Sequence, residues 1–182
     1  MTVSNSTISD NAASEGGGIY NANHGGGTFV ELGSVILKAG SLGGTISNQG
    51  GDVTSDGYNI ASDDGEGVLT GPSDRINTDP LLGALQNNGG PTFTHALLLG
   101  SPAINAGDAS FTPPPFFDQR GPGFDRVVNG RIDIGSFEVQ GPTPTSTPTP
   151  TPTTTATPTA TPRVTPRPSP TPRPRPTAAP RV

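Results

Sequence analysis

Three acidic residues fall within four positions of one glycine-rich stretch, Ser62-Asp63-Asp64-Gly65-Glu66-Gly67. Carboxylate oxygens on a loop of this kind suit Ca²⁺, so Asp63, Asp64 and Glu66 form a weak candidate calcium site. Their spacing matches neither the EF-hand nor the nonapeptide calcium repeat, and a solvated acidic loop is the favoured interpretation. No other metal or cofactor is expected.

Other catalytic chemistry finds little support in the residue types. The chain has no Cys, which excludes thiol catalysis and thiolate metal sites. Its two histidines, His24 and His95, are far apart in sequence; we interpret His95 as structural and His24 as an exposed turn residue. The glycine clusters precede neither a helix pattern nor a Lys-Ser/Thr pair, so they do not predict phosphate binding. We therefore assign no catalytic or cofactor-binding residue.

The composition divides the 182-residue chain into two unlike parts. Residues 141–182 contain 14 Pro, 14 Thr, five Arg and no acidic residue, whereas residues 1–140 contain all 15 acidic residues and five basic ones. The acidic part argues against nucleic acid as a partner. The longest uninterrupted apolar run, residues 96–99, is far too short for a transmembrane segment.

Glycine, asparagine and aliphatic residues recur in residues 1–70 at intervals of 24 to 28. Gly16-Gly17-Gly18-Ile19-Tyr20-Asn21 matches residues 43–48 at an offset of 27, and residues 26–36 match residues 50–60 at an offset of 24. A looser match relates residues 5–9 to residues 33–37 at an offset of 28. This period predicts a β-solenoid with Ile and Val in its interior and Asn ladders at its corners. A Gly-rich β-sandwich with coincidental spacing is the alternative.

The solenoid interpretation predicts short strands and three successive regions. The expected strands cover residues 7–9, 18–21, 28–32, 35–37, 45–47, 53–54 and 58–60. Residues 1–70 form the last coils, residues 71–140 an irregular C-terminal cap, and residues 141–182 a disordered Pro/Thr-rich stalk. In residues 131–139, apolar and polar side chains alternate, but Ile132 and Ile134 would lie on the opposite face of a regular strand from Phe137 and Val139. A bulge at Gly135-Ser136 is therefore expected to bring all four to one buried face. In the cap, Arg120 is expected to form a structural ion-pair cluster with Asp118 and Asp133.

No basic and apolar leader follows Met1, so no signal peptide is predicted. Because the repeats place the start of the chain inside a coil, we expect it to be a fragment of a longer protein rather than a cytosolic protein that starts here. A solenoid with fewer than three coils exposes its first strands, and self-association through that end is expected.

A series of motifs in the second half resembles the choice-of-anchor Q domain, which closes right-handed parallel β-helix proteins of bacterial surfaces. Residues 4–11 and 16–21 are similar to coils of such proteins and of polymorphic outer-membrane proteins. The motifs that carry the resemblance are residues 56–60, 77–83, 88–92, 94–98, 100–108, 118–121 and 133–138. The resemblance implies a right-handed parallel β-helix, an extracellular or cell-surface location, and no defined enzymatic activity.

Two functions follow as hypotheses. The first is a non-enzymatic structural or adhesive module, displayed on its Pro/Thr-rich spacer and facing the cell envelope or an extracellular glycan or protein surface. The second is the end of a β-helix polysaccharide lyase or hydrolase whose active site lies in upstream coils. Such enzymes need acidic or basic residues clustered on neighbouring coils. At the 24-residue offset, however, Glu31 falls over Ser55 and Asp56 over Leu32, and no acidic pair stacks.

Overall fold

The computed structural model describes residues 1–141, and the predicted stalk, from residue 142 onward, lies outside the described residues. The described part is all-β: it has ten strands, one short 3-10 turn at Gly65–Gly67 and no α-helix. Within it, no helical segment has the length and apolar character needed to cross a bilayer. The strands are β1 (Thr2–Ser4), β2 (Thr7–Asn11), β3 (Ile19–Ala22), β4 (Phe29–Gly33), β5 (Ile36–Ala39), β6 (Ile46–Gln49), β7 (Asp52–Gly57), β8 (Ile60–Ala61), β9 (Leu82–Gln86) and β10 (Thr94–Leu97).

The first eight strands form three parallel sheets. Their orders are β1-β4-β7, β2-β5-β8 and β3-β6, so each sheet takes one strand from each successive sequence repeat. Only β9 and β10 pair in antiparallel fashion. This topology is compatible with a β-helix, and its parallel pairing does not fit the antiparallel sheets of a β-sandwich.

The 27-residue repeat is confirmed by the register between β3 and β6. Ile19 pairs with Ile46, and Asn21 pairs with Asn48. The Asn21 Nδ2 group donates to Asn48 Oδ1 at 3.0 Å, which is the predicted asparagine ladder. Identical residues stack here because each amide can donate to the next one while the isoleucines share the apolar interior.

The 24-residue repeat is confirmed only in part. Ile36 pairs with Ile60 as predicted. In β4 and β7, however, Phe29 pairs with Asp52 instead of Val53, and the register shifts next to Gly33, which pairs with Gly57. The predicted alignment of the two strands was therefore wrong by one residue over most of their length, because a bulge adds one residue to β7.

The looser 28-residue match was also wrong by one position. Thr7 pairs with Ile36 and Ile8 with Leu37, so the true spacing places β2 one residue further along β5. Since successive side chains of a strand point to opposite faces, this shift exchanges the inner and outer residues of β2.

An apolar interior fills the space between the three parallel sheets. The strands contribute alternate residues to it, and Val3, Ile8, Val53 and Val68 pack against it from partly buried positions. The buried members are Ile19, Val30, Leu32, Val35, Leu37, Ile46, Ala61 and Leu69.

Residues 62–78 continue from β8 and lie against the end of the parallel sheets. The Tyr58 N–H donates to Pro72 O, and the Ala61 N–H donates to Arg75 O, both at 2.8 Å. Leu69 joins the apolar interior. Pro72 and Arg75, both in the region from residue 71 onward that we expect to cover this end, therefore occupy the free edge of β8 and the residues just before it.

Most of the remaining chain packs on the outside of the β2-β5-β8 sheet. Ile36 and Ile60 point outward from that sheet and are completely buried. They contact a second apolar cluster from residues 79–140, which we call the irregular region. The cluster is formed by Leu97, Ala103, Ile134, Phe137 and Val139. Strand β5 is thus buried on both faces.

The segment 131–139 contributes its apolar residues without forming the predicted bulged strand. Ile132, Ile134, Phe137 and Val139 are all buried, as expected. The chain, however, bends through 134–136 and forms no strand. Gly135 has φ +95°, and a Cβ there would lie 2.7 Å from Ile36 Cδ1, so only glycine permits this close approach to β5.

Candidate functional site

The three acidic residues of the candidate calcium loop bind different backbone donors. Asp63 accepts a hydrogen bond from the Thr45 N–H at 2.7 Å, Asp64 accepts one from the Glu66 N–H at 3.0 Å, and Glu66 accepts one from the Asn48 N–H. Among residues 1–141, no three acidic, His or Cys side chains are grouped to hold a metal ion. Asp63 and Glu66 therefore accept from N–H groups just before and within β6, whereas Asp64 accepts from an N–H group of its own loop.

The pKa of Asp63 reflects these hydrogen bonds. Burial alone would raise the pKa, but hydrogen bonds from the Thr45 hydroxyl and from backbone N–H groups outweigh burial and hold the pKa of Asp63 below its ordinary value. The ionised carboxylate of Asp63 accepts hydrogen bonds from Thr45 and Gly65, and these bonds hold the loop against the start of β6.

The two histidines lie apart. His24 is exposed in the loop between β3 and β4. His95 is half-buried on β10, and its Nδ1 lies 2.7 Å from the Gly83 carbonyl oxygen on β9. This contact joins β10 to β9, and the structure does not bring the two histidines together.

The predicted ion pair of Arg120 is present and buried. Arg120 Nη2 lies 2.6 Å from Asp118 Oδ2. The guanidinium stacks between two rings, 3.9 Å from the centroid of Phe124 and 3.8 Å from that of Phe137. Asp133, the third expected member, instead accepts hydrogen bonds from two backbone N–H groups elsewhere in the cap.

Two further charged residues belong to this cluster and were not predicted. Arg126 is 1% exposed and donates from Nη2 to Asn5 Oδ1 at 3.0 Å and to Gly135 O at 2.8 Å. Glu138 is completely buried, and its Oε2 accepts from the Asp133 N–H at 2.8 Å. Nothing in their sequence surroundings indicates burial, because Arg and Glu are ordinarily exposed.

Burial controls the electrostatics of this cluster. It raises the pKa of Glu138 to about 8, although the hydrogen bond from the Asp133 N–H lowers this pKa; the charge of the Asp133 carboxylate acts with burial. Burial likewise raises the pKa of Asp133, and it lowers that of Arg126. A carboxyl group with a raised pKa beside a second carboxylate is the arrangement that glycosidases use. Because Glu138 and Asp133 are 0% and 1% exposed, they cannot meet a substrate, and the cluster is structural.

Open cavities adjoin one another where the irregular region meets the start of the coils, and we call them together the trough. The first, of about 300 Å³, lies between β2 and the β9-β10 hairpin. The second, of about 410 Å³, shares Gln119 and Ser136 with the first, and the third, of about 540 Å³, shares Phe117 with the second. The trough thus crosses from the hairpin to the loop that contains Phe116.

Neutral polar groups and exposed aromatic rings line the first cavity of the trough, and the charged residues Asp118, Arg126 and Asp125 border the other two. The first cavity has Thr7, Ser9, Asn11, Gln119 and Ser136 beside the ring of Phe93, and none of its lining residues is Asp, Glu, Lys or Arg. At the other end, the ring of Phe116 borders the third cavity. Phe93 is 62% exposed and Phe116 is 66% exposed, so the aromatic surface is available to a ligand.

No protein-family model, curated protein or solved structure matches this chain.

Proposed function

We propose that this chain is a non-enzymatic, right-handed parallel β-helix module of a cell surface or of secreted material. The observation that carries the proposal is the stacking of sequence repeats into in-register parallel sheets around one apolar interior. Such a stack is rigid and presents its side chains at regular spacing, which suits a structural or adhesive surface.

The resemblance to the choice-of-anchor Q domain extends this proposal. Several of the motifs that carry it hold the irregular region in place. Gly90, in the Asn88-Gly89-Gly90-Pro91 motif, has φ +80°. A Cβ at this position would lie only 2.5 Å from the Arg120 backbone, so the motif packs closely against Arg120. Asp118 and Arg120 belong to the motif at residues 118–121, and Asp133 and Glu138 to the last motif, residues 133–138. A region built to close a β-helix supports assignment to a surface protein of that type.

The sequence composition supplies the remaining part of the proposal. The Pro/Thr-rich residues 141–182 favour an extended spacer, which would hold the module away from its attachment point. Their threonines are candidate acceptors for O-glycans.

Cell fractionation tests the location. Intact native cells are treated with a protease that cannot enter them, and the full chain is followed with an antibody against residues 1–141. We expect the antibody signal to be lost from intact cells or to be found in the medium. A signal that is protected until the cells are lysed would contradict a surface or secreted location.

A turnover assay tests the absence of enzymatic activity. The purified full chain is incubated with neutral and acidic polysaccharides, and reducing ends and unsaturated products are measured. We expect neither product to form above the buffer control. Product formation would favour the polysaccharide lyase or hydrolase interpretation.

A further inference from the structure

We infer that the trough binds an extended, neutral glycan chain. The inference rests on the proposed function, because it names the ligand class that the surface of the module would recognise. It is carried by three properties of the trough: the hydrogen-bonding groups along it, the exposed rings, and the distribution of charge.

The hydrogen-bonding groups match the hydroxyls of a sugar. Hydroxyl and amide side chains both donate and accept, as vicinal sugar hydroxyls do. Asn11 and Ser136 line the first cavity, and neither side chain forms a hydrogen bond to another residue of the described range. His95 uses Nδ1 for Gly83, which leaves its second ring nitrogen available in the same cavity.

The rings supply apolar platforms beside these groups. The face of an aromatic ring is electron-rich, so it attracts the C–H groups on one face of a pyranose. Phe93 borders the first cavity, Phe117 borders the second and third, and Phe116 borders the third. Rings at successive positions along one open trough favour an oligosaccharide over a single sugar.

Charge favours a neutral chain over an acidic one. Residues 1–140 hold 15 acidic and five basic residues, so the surface repels polyanions. Two charged residues, Asp118 and Arg126, line the second cavity. Both are buried, Asp118 is bound to Arg120, and Arg126 is bound to the Gly135 carbonyl oxygen. A uronic-acid polymer would therefore find no free cation in the first two cavities.

A peptide strand is the less favoured occupant. Strand addition requires the hydrogen-bonding edge of a sheet. Thr7 and Ser9, two of the β2 residues that line the first cavity, lie on the same outer face of the β2-β5-β8 sheet as Ile36. The rings that border the trough belong to residues outside this sheet, so most of the trough offers no strand edge to a peptide.

Titration of the full chain with defined probes tests the inference. Cellohexaose, mannohexaose and xylohexaose are compared with hexagalacturonic acid and with an alternating Thr-Val peptide, by calorimetry and by amide chemical shifts. We expect at least one neutral hexasaccharide to bind with a Kd of about 1 mM or tighter. The amides of Gln119 and Ser136 should shift in the unmodified chain, which needs no variant.

Ring deletions locate the binding. Phe93→Ala and Phe117→Ala are each expected to weaken binding by about three- to tenfold. Phe29→Ala is the matched control, because Phe29 is 46% exposed on β4 and lines no cavity of the trough. Thermal unfolding of each variant verifies that it is folded.

Three results would overturn the inference. The first is that no neutral hexasaccharide binds, and the second is binding that both ring deletions leave unchanged while the trough amides do not shift. The third is preferential binding of the acidic probe or of the peptide. None of them bears on the protease experiment, so a surface protein that binds no neutral glycan would refute the ligand and leave the proposed location intact.

Discussion

At the scale of single residues, a buried charge connects the irregular region to the residues that form the parallel sheets. Arg126 connects residues that are 121 positions apart in sequence through its bond to Asn5. Arg120 holds Asp118 and also donates to the Glu138 carbonyl oxygen. Removing one partner from such a buried set leaves a charge without compensation, which costs more than the pair contributes.

Glu138 should make the stability depend on pH. Its pKa is raised from 4.5 to about 8, so between these values the unfolded chain is ionised while the folded chain keeps its proton. The unfolded state then binds fewer protons, and the free energy of unfolding falls as pH rises, by up to about 1.4 kcal/mol per pH unit. The loss is complete above the folded pKa. We expect Glu138→Gln to remove this part of the slope in urea unfolding measured across that range.

The matched control is Glu15→Gln, which removes the same charge at an exposed position. It should retain the pH dependence of the unmodified chain. The raised pKa of Asp133 acts in the same direction and remains in both variants. Parallel curves for Glu138→Gln and the unmodified chain would contradict the prediction.

Gly135 should tolerate no side chain. Gly135→Ala places a Cβ 2.7 Å from both Ile36 Cδ1 and Thr7 Oγ1 at φ +95°. Gly123→Ala has nearly the same φ, +96°, with no atom within 4 Å. Both changes incur backbone strain of about 1–2 kcal/mol, and only the first adds about 1–3 kcal/mol of overpacking. Equal losses in urea unfolding would show that the contact of Gly135 with β5 is unimportant.

At the scale of elements, β5 is the strand on which the two apolar clusters meet. Leu37 points to the interior and Ile36 points to the irregular region, and both are 0% exposed. A strand buried on both faces is typical of parallel sheets that are covered on both sides. The irregular region therefore acts as a second layer on this sheet.

Truncation of either side chain should be costly. We expect Ile36→Ala and Leu37→Ala each to lower the free energy of unfolding by about 2–5 kcal/mol, because each leaves a cavity. Leu42→Ala, at a position that is 60% exposed, is the control and should cost little. If Ile36→Ala were as mild as the control in urea unfolding, the irregular region would not be packed stably on the sheet.

At the scale of the whole molecule, the first and last strands of the β2-β5-β8 sheet differ in their free edges. Pro72 and Arg75 cover the free edge at β8. In contrast, β1, β2 and β3 each pair on one side only. The N–H groups of Val3 and Asn5 face β4, so by alternation those of Thr2 and Ser4 face outward. Uncovered edges of this kind promote association between copies.

We expect the full chain to associate with increasing concentration in sedimentation velocity. Thr2→Pro removes one outward donor and no bond of the ladder, so it should weaken association while preserving the fold. Leu99→Lys removes an exposed leucine elsewhere and should leave association unchanged. The opposite pattern would place the interface on the apolar surface of the irregular region.

Several features could be predicted because they repeat. Ile19, Asn21, Ile46 and Asn48 recur at one spacing, and their stacking requires parallel strands in register. The adjacent apolar pairs Ile36-Leu37 and Ile60-Ala61 also carried a signal of burial on both faces, which sequence reasoning missed. The bulge in β7 had no such signal, because one added residue depends on local twist.

The sequence by itself determined the 27-residue repeat, the stacking of its identical residues and the separation of the acidic residues 1–140 from the Pro/Thr-rich residues 141–182. These follow from repetition and composition, which can be read along the chain without knowing its packing. Only the tertiary structure decided which face of the coils the irregular region covers, which charges it buries and where the trough opens. Those outcomes depend on pairs such as Arg126 and Asn5, or Ser136 and Thr7, whose meeting is set by the packing of the whole domain.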